Sequence, residues 1–532
     1  MKYNLCDEEW ILLMGEDGTP KPAGLRKAFL NMNRYLSFCG EIRLQDTAML
    51  RLFAAIAVTM MYRYDTDGRL NEDVDWDTVL DRYQQILRNG QFPEKVVNSY
   101  FDEWYDRFYL LEGEHPFFQV PLSALHKNIR NAGKKTEEIQ FGLPGTDGKI
   151  RYMNHKDISC INGTILESGN KASAYADLSG TEKHKVSYAE AARWLIWYMA
   201  YADCGTKAPG KWASQMTFPS MGANIYPTGK NLFETVMLNS VLLYNGEDIY
   251  DHVSPAWERE PSLIVQDNPY GDAAPRNLPE LYTQQSRRVM LEDDGSGIIG
   301  AYVIAGDKYS STSAFIEPMF MWKADPKDKT GLAMITVKYN MMSSWENLRN
   351  ILLASTTSRS IRWINQLEEN GILDGENIPY LMTGISYGSM QSSVDKMLTD
   401  SIVVSPVFFI DSLKIDDMRK IIEIINNLST VFYLFGCGLA KAEGAEEKDA
   451  KVRGGQLQVI FQNRGEFILR KYLQNSIDKK EARDQLLFAC RKIIDHEMDV
   501  TSIYAFCKKD GRNAADEESI AIHKVMKILR EE

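Results

Sequence analysis

"DDMRKIIEIINNLSTVFYLFGCGLAK" (residues 416–441) begins a series of stretches in which apolar residues return at helical spacing. "QLQVIFQNRGEFILRKYLQ" (456–474), "KKEARDQLLFACRKIIDH" (479–496) and "DEESIAIHKVMKILRE" (516–531) follow, separated by breaks rich in Gly, Asp and Asn. Four amphipathic segments with connectors this short predict an antiparallel four-helix bundle over 411–532. Upstream, helical and strand-like patterns alternate, so the boundary falls near 400–410. The expected fold class is α+β: a mixed α/β N-terminal domain over 1–400, then the bundle.

Within the first 400 residues, "EEWILLMGEDGTPKPAGLRKAFLN" (8–31) reads as a β-hairpin feeding a helix. "RLQDTAMLRLFAAIAVTMMYR" (43–63) sets Met49, Phe53, Ile56 and Met60 on one stripe, with Asp46 as N-cap, and predicts a buried helix. "YFDEWYDRFYLLEGEHPFFQVP" (100–121) predicts an aromatic helix that ends before Pro116. Residues 122–187 are polar and weakly periodic, which predicts long loops. A helix is expected over 187–202, strands over 278–345, and a further helix near 346–370.

Composition is that of an ordinary globular protein, with 44% hydrophobic and 25% charged residues. Seven dispersed cysteines without a C-x-x-C pair, and no secretory signal, suggest a reducing compartment and a cytoplasmic protein. The apolar runs fall below the ~20 residues of a membrane helix, so no membrane association is expected. Seven scattered histidines show no ligand spacing, and neither a metal nor another cofactor is expected. The net charge of −12 argues against nucleic-acid binding by the whole surface. Residues 401–532 hold 21 basic and 21 acidic side chains, so the acidic excess lies entirely in the first 400. Any contact with DNA is therefore local.

Two short motifs suggest chemistry. "GISYG" (384–388) fits the G-x-S-x-G nucleophile elbow and would make Ser386 the nucleophile of a serine hydrolase. That reading needs a strand before the serine and a helix after it, and the repeated βαβ pattern of a hydrolase is missing. "GANIYPTGKN" (222–231) suggests a phosphate loop but fails on spacing, with Asn231 where Ser or Thr belongs. It reads better as a turn before the helix "NLFETVMLN".

Longer blocks carry a more specific resemblance. "LQDTAMLRLFAAI" (44–56), "EHPFFQVP" (114–121), "EAARWLIWYMAYADCGTK" (190–207), "TGKNLFETVMLN" (228–239) and "LYTQQSRRVML" (281–291), with the helical tail, occur in the order seen in the CasA family. The sequence resembles this family, the large subunit of the type I-E Cascade complex of CRISPR systems, over nearly its whole length. The resemblance implies a non-catalytic subunit partnered with the crRNA-containing backbone and small subunits. It also implies recognition of the protospacer-adjacent motif on double-stranded target DNA, help in opening the duplex, and recruitment of a helicase-nuclease.

In the family a turn carries a glutamine wedge into the minor-groove side. The matching position is Gln391, with Met390, Ser392 and Ser393 beside it; Gly384 and Gly388 would permit the turn and a following helix would anchor it. Gly205 and Lys207, in "DCGTKAPGK" (203–211), match a loop near the minor groove, and Lys308, in "AGDKYS" (305–310), matches a lysine directed there. Relatives with a zinc-binding cysteine cluster carry it where this chain reads "LEDDGSGIIGAY" (291–302), so no zinc is implied. Lys127, Arg130, Lys134 and Lys135 are candidates to face RNA phosphate. The bundle's Arg464, Arg470, Lys471, Lys479 and Lys480 form either a solvated face or a surface that steers the displaced strand or the neighbouring small subunits.

Overall fold

The computed structural model describes residues 3–71, 74–131, 137–165, 180–202, 217–242, 254–260, 263–265, 275–307, 317–327, 332–335, 356–373, 375–388, 394–507 and 511–531. The chain divides into two compact units. The first comprises residues up to 344 together with 356–367 and 380–401; the second comprises 368–379 and 402–532.

The first unit is built around the helix Arg43–Arg63, in which every residue from Leu44 to Tyr62 is buried. A helix of this length and apolarity would satisfy a membrane span by composition, but its whole circumference is covered by protein. The helices Tyr188–Tyr201, Leu232–Asn239, Leu278–Tyr282, Trp76–Asn89 and Glu94–Glu103 pack on it. Phe53 shows why such burial matters. It stacks on Phe29 at 4.8 Å and meets Phe38 edge-on at 4.9 Å, and full burial of a phenylalanine side chain is worth about 1.5–3 kcal/mol. Asp46 is not the N-cap expected from the sequence. The helix begins at Arg43, and Asp46 sits inside the first turn, buried, accepting the Gly40 N–H at 2.7 Å. Burial pushes its carboxyl up to about 6, against the Gly40 amide and Arg43.

Small sheets surround this core. Strands Ile11–Gly15 and Pro20–Ala23 form the expected hairpin, which feeds the helix Leu25–Leu30. The stretch 122–187 is not looped throughout. His126–Asn131, Glu137–Pro144 and Ile150–Tyr152 form one antiparallel sheet, and Asn154–Asp157 joins Ile298–Ala305 and Arg287–Asp293 in another. Alternation was weak in the sequence because the first sheet leaves Ile129 and Ile139, opposite each other, about half exposed. Its inner residue Leu143 instead packs with Val120, Met153, Val265 and Ile304. The aromatic stretch 100–121 is also less helical than expected. The helix Glu94–Glu103 ends at Trp104, and a single 3-10 turn, Tyr105–Arg107, follows.

In the second unit, the helices Ser412–Ala442, Glu447–Leu473, Lys479–Val500 and Ala514–Glu531 pack as a four-helix bundle, with a short helix Ile503–Phe506 before the last. Asp411 caps the first through the Leu413 N–H, and Asp478 forms a reciprocal capping box with Glu481 on the third. The first two helices approach closely because of glycine. A Cβ at Gly454 would stand 2.5 Å from Cys437 Sγ and 2.7 Å from the Tyr433 carbonyl. Beside this contact Phe432 and Phe461 stack at 4.8 Å.

Candidate functional site

The residues singled out from the sequence lie largely outside the described residues: Met390, Gln391, Ser392 and Ser393 within 389–393, Lys308 within 308–316, and Gly205 and Lys207 within 203–216. The described residues do show where those three segments join the fold. All three junctions lead to the same helix end.

Ser187 caps the helix Tyr188–Tyr201 by accepting the Glu190 N–H, and Ala191–Tyr201 are buried. A helix leaves its last carbonyls without intrahelical partners, and buried ones need others. Here three consecutive carbonyls accept hydroxyls from three different parts of the chain. The Ser286 hydroxyl donates to Met199 O at 2.6 Å, the Thr217 hydroxyl donates to Ala200 O, and the Tyr387 hydroxyl donates to Tyr201 O at 2.8 Å. Thr217 directly follows 203–216. Tyr387 ends the strand that leads to 389–393. Ser286 accepts the Gly306 N–H at its own carbonyl, one residue before Asp307, after which 308–316 begins.

Both flanks of 308–316 are also tied to buried arginines. Arg288 donates to Asp307 Oδ1 at 2.8 Å, and Gln284 Nε2 donates to the Asp307 carbonyl at 3.0 Å. On the other side, Arg51 of the core helix makes a bidentate pair with Glu317, both contacts 2.8 Å, with the side chains 2% and 0% exposed. The guanidinium lies 4.2 Å from the centre of the Tyr282 ring. Burial alone would lower the Arg51 pKa; the Glu317 carboxylate outweighs it and the net shift is upward.

The strand Ile378–Tyr387 pairs antiparallel with Asn224–Pro227 and neighbours Val394–Val404. Neighbouring strands so close in sequence run antiparallel, since a parallel pairing needs a connection of a dozen or more residues. Thr47 on the core helix lies 3.2 Å from Tyr226 Oη and 3.3 Å from Thr383 Oγ1, all buried, which ties this sheet to the core. Two expectations are corrected here. Gly384 is an extended, buried strand residue, not part of a turn, and the element after 389–393 is a strand, not a helix. The same facts remove the nucleophile elbow. Ser386 is half-buried inside a strand that is followed by another strand, and an elbow requires the serine on a strand-to-helix turn.

The suspected phosphate loop is likewise occupied by its own helix. Asn231 caps Glu234 N–H at 2.9 Å, the Lys230 N–H donates to Glu234 Oε2 at 2.7 Å, and the Gly229 N–H donates to Thr235 Oγ1. Of the bundle cations, Arg470 pairs with Glu466 and Lys479 with Asp417 at 2.8 Å, while Arg464 and Lys480 are exposed.

Sequence reasoning missed the hydroxyl donors Thr217, Ser286 and Tyr387, which carry no periodic signal. Arg51 was findable. An arginine inside "MLRLFAAIA" on a buried helix requires a carboxylate, although nothing local names Glu317.

A family model described as CRISPR-associated protein Cse1 matches residues 4–495. The CRISPR-associated protein CasA/Cse1 of Thermus thermophilus is 25% identical over 391 residues, 70% of this chain and 65% of that relative, so the match spans just under two thirds of the relative's length. Among solved structures, Thermobifida fusca Cse1 superposes with a TM-score of 0.78 at 22% identity, covering 99% of this chain and 98% of that one. A chain of a CRISPR RNA-guided surveillance complex superposes with a TM-score of 0.63 at 15% identity, covering 99% of each.

Proposed function

Because this chain belongs to the family of CRISPR-associated protein Cse1, we propose that it is the non-catalytic large subunit of a crRNA-guided Cascade complex. In this reading it recognises the protospacer-adjacent motif from the minor groove, helps to open the target duplex, and recruits a helicase-nuclease. The guide reads sequence by base pairing, so the protein needs to read only the short flanking motif. Minor-groove edges separate A·T from G·C better than A·T from T·A, so tolerance among related motifs is expected.

One observation supports this reading above the others. The flanks of the three segments carrying Gln391, Lys308 and Gly205–Lys207 meet through hydroxyl and backbone hydrogen bonds at the C-terminal end of the helix Tyr188–Tyr201. The described flanks of three stretches far apart in sequence are thereby tied to one buried helix end. An element that enters a duplex must meet an unstacking cost of about a few kcal/mol per base step. A support ordered before binding removes part of the additional ordering cost. That helix end is the negative pole of its dipole, so phosphate attraction falls to side-chain cations such as Lys207 and Lys308.

The test uses the assembled complex and a duplex carrying the flanking motif. Gln391→Ala is expected to impair strand opening, Lys308→Ala to weaken duplex binding, and Ser386→Ala to leave both intact with no esterase activity. Normal opening by Gln391→Ala, together with an absence of crosslinks from 389–393 to the duplex, would overturn the reading.

A further inference from the structure

The bundle carries a repeated five-residue pattern that the flanking-motif reading does not use. "FILRK" (467–471) and "FACRK" (488–492) place Phe and Lys four residues apart, on the adjacent helices Glu447–Leu473 and Lys479–Val500. In each pattern the helix turns its apolar middle inward. Ile468 and Leu469 are buried in the first, as is Cys490 in the second. The phenylalanine is consequently turned outward. Phe467 is 60% exposed and Phe488 63%. Lys471 Nζ lies 4.6 Å from the Phe467 ring centre, and Lys492 Nζ lies 5.6 Å from that of Phe488.

A single exposed apolar side chain is ordinary on a protein surface. Two phenylalanines, each held out with a cation one helical turn away, ask for a ligand with both a flat apolar face and negative charge. The surroundings favour the same chemistry. On the helix Glu447–Leu473 the exposed Arg464 stands one turn before Phe467, whereas Arg470 is paired with Glu466, Lys451 with Glu447, and Arg453 with Glu443 and Glu497; Val459 and Ile460 lie half-exposed farther along it. On the helix Lys479–Val500, Arg491 is exposed beside Lys492, while Asp484 and Asp495 stand about one turn or two from the Phe488 ring. Attraction for phosphate therefore rests on Arg464 and Lys471 of the first helix and on Arg491 and Lys492 of the second.

We propose that Phe467 and Phe488, with Lys471 and Lys492, form a stacking surface for single-stranded nucleic acid. Bases stack on the rings and the ammonium groups swing to the phosphates, a combination that is tolerant of sequence because every base has a flat face. These four residues are none of those invoked for the flanking motif, and the two readings stand or fall independently.

The test is binding of fluorescein-labelled dT15 to the full-length chain by anisotropy at a fixed low salt concentration. Phe467→Ala and Phe488→Ala are each expected to weaken binding by about tenfold, within the range of single base–aromatic stacks. Phe467→Trp is expected to retain it, and Lys471→Ala with Lys492→Ala to flatten the dependence on salt. Both rings are exposed, so thermal melting should be unchanged. Failure of the wild-type chain to bind dT15 overturns the proposal, as do alanine variants that bind like wild type. If those variants keep oligonucleotide binding but no longer co-purify with other subunits of the complex, the rings are a protein-docking surface and the proposal is wrong. Gln391→Ala should leave dT15 binding intact.

Discussion

The seam between the helices Ser412–Ala442 and Glu447–Leu473 and the C-terminal end of the helix Tyr188–Tyr201 are both well-packed places held by opposite kinds of contact. At the seam, neighbours in the chain meet through apolar faces and a glycine that lets backbones approach. At the helix end, hydroxyls from residues 217, 286 and 387 satisfy three carbonyls, and a guanidinium at 51 meets a carboxylate 266 residues away. The seam is periodic, local and sensitive to shape. The other is polar, distant in sequence and sensitive to loss of a partner. Each kind of contact fails in its own way.

The largest expected effect is at the polar support. Glu317→Gln leaves the Arg51 charge buried without its counter-ion, and breaking such a pair costs about 3–5 kcal/mol. Chemical denaturation measures it. Arg51→Met combined with Glu317→Leu removes both charges and is expected to recover most of the loss, since apolar replacements of similar volume are often neutral or better. If Glu317→Gln costs no more than an exposed ion pair does, the polar region is not held as described.

At the seam two adjacent glycines should respond with opposite signs. Alanine normally stabilises a helix interior relative to glycine by about 1 kcal/mol. A methyl group at Gly455 would have nothing within 4 Å, so Gly455→Ala is expected to stabilise by about 0.5–1 kcal/mol. At Gly454 the same methyl meets Cys437 Sγ and the Tyr433 carbonyl, and Gly454→Ala is expected to destabilise by about 1–3 kcal/mol. Equal responses at the two positions would mean that close approach does not govern the seam.

Asp46 provides a pH test on the polar side. Its folded pKa of about 6 lies above the ordinary carboxylate value, so the folded state holds the proton more tightly than the unfolded chain. The resulting stability is fully present below about pH 4 and is lost as pH rises through 6. Asp46→Asn, which keeps an acceptor for the Gly40 N–H, should flatten this window by roughly 1–2 kcal/mol. Melting temperatures at pH 4, 5, 6 and 7 decide it.

The same contrast explains what was legible in the sequence. Bundle helices announce themselves because their contacts repeat every three or four residues, and Asp478 with Glu481 writes its cap in four letters. The core helix was legible as buried, though its true start, three residues before Asp46, was not, because Asp46 reaches back to an amide outside the helix. The sheet of 126–152 hid its alternation by leaving Ile129 and Ile139 exposed. Nothing around Tyr387, Thr217 or Ser286 distinguishes a hydroxyl that closes a distant helix from one in water. The candidate site residues themselves rested on resemblance, since turn residues and lone lysines have no period to read.

Tyr387→Phe is expected to give the smallest loss of stability among these substitutions. It removes one hydroxyl from the Tyr201 carbonyl and keeps the ring, so the cost should be about 0.5–1.5 kcal/mol. Its value lies in separating support from packing. Tyr387 ends the strand leading to 389–393, and the carbonyl it satisfies is rooted in the buried core, so the hydrogen bond fixes where that strand stops. Under the proposed function, loss of this restraint should slow strand opening in the assembled complex by more than the small fall in melting temperature accounts for. Thr430→Val, which removes an exposed hydroxyl that donates only to Asn426 O within its own bundle helix, should leave opening unchanged. If the two variants behave alike in duplex opening, the hydroxyls at the end of the helix Tyr188–Tyr201 serve stability alone.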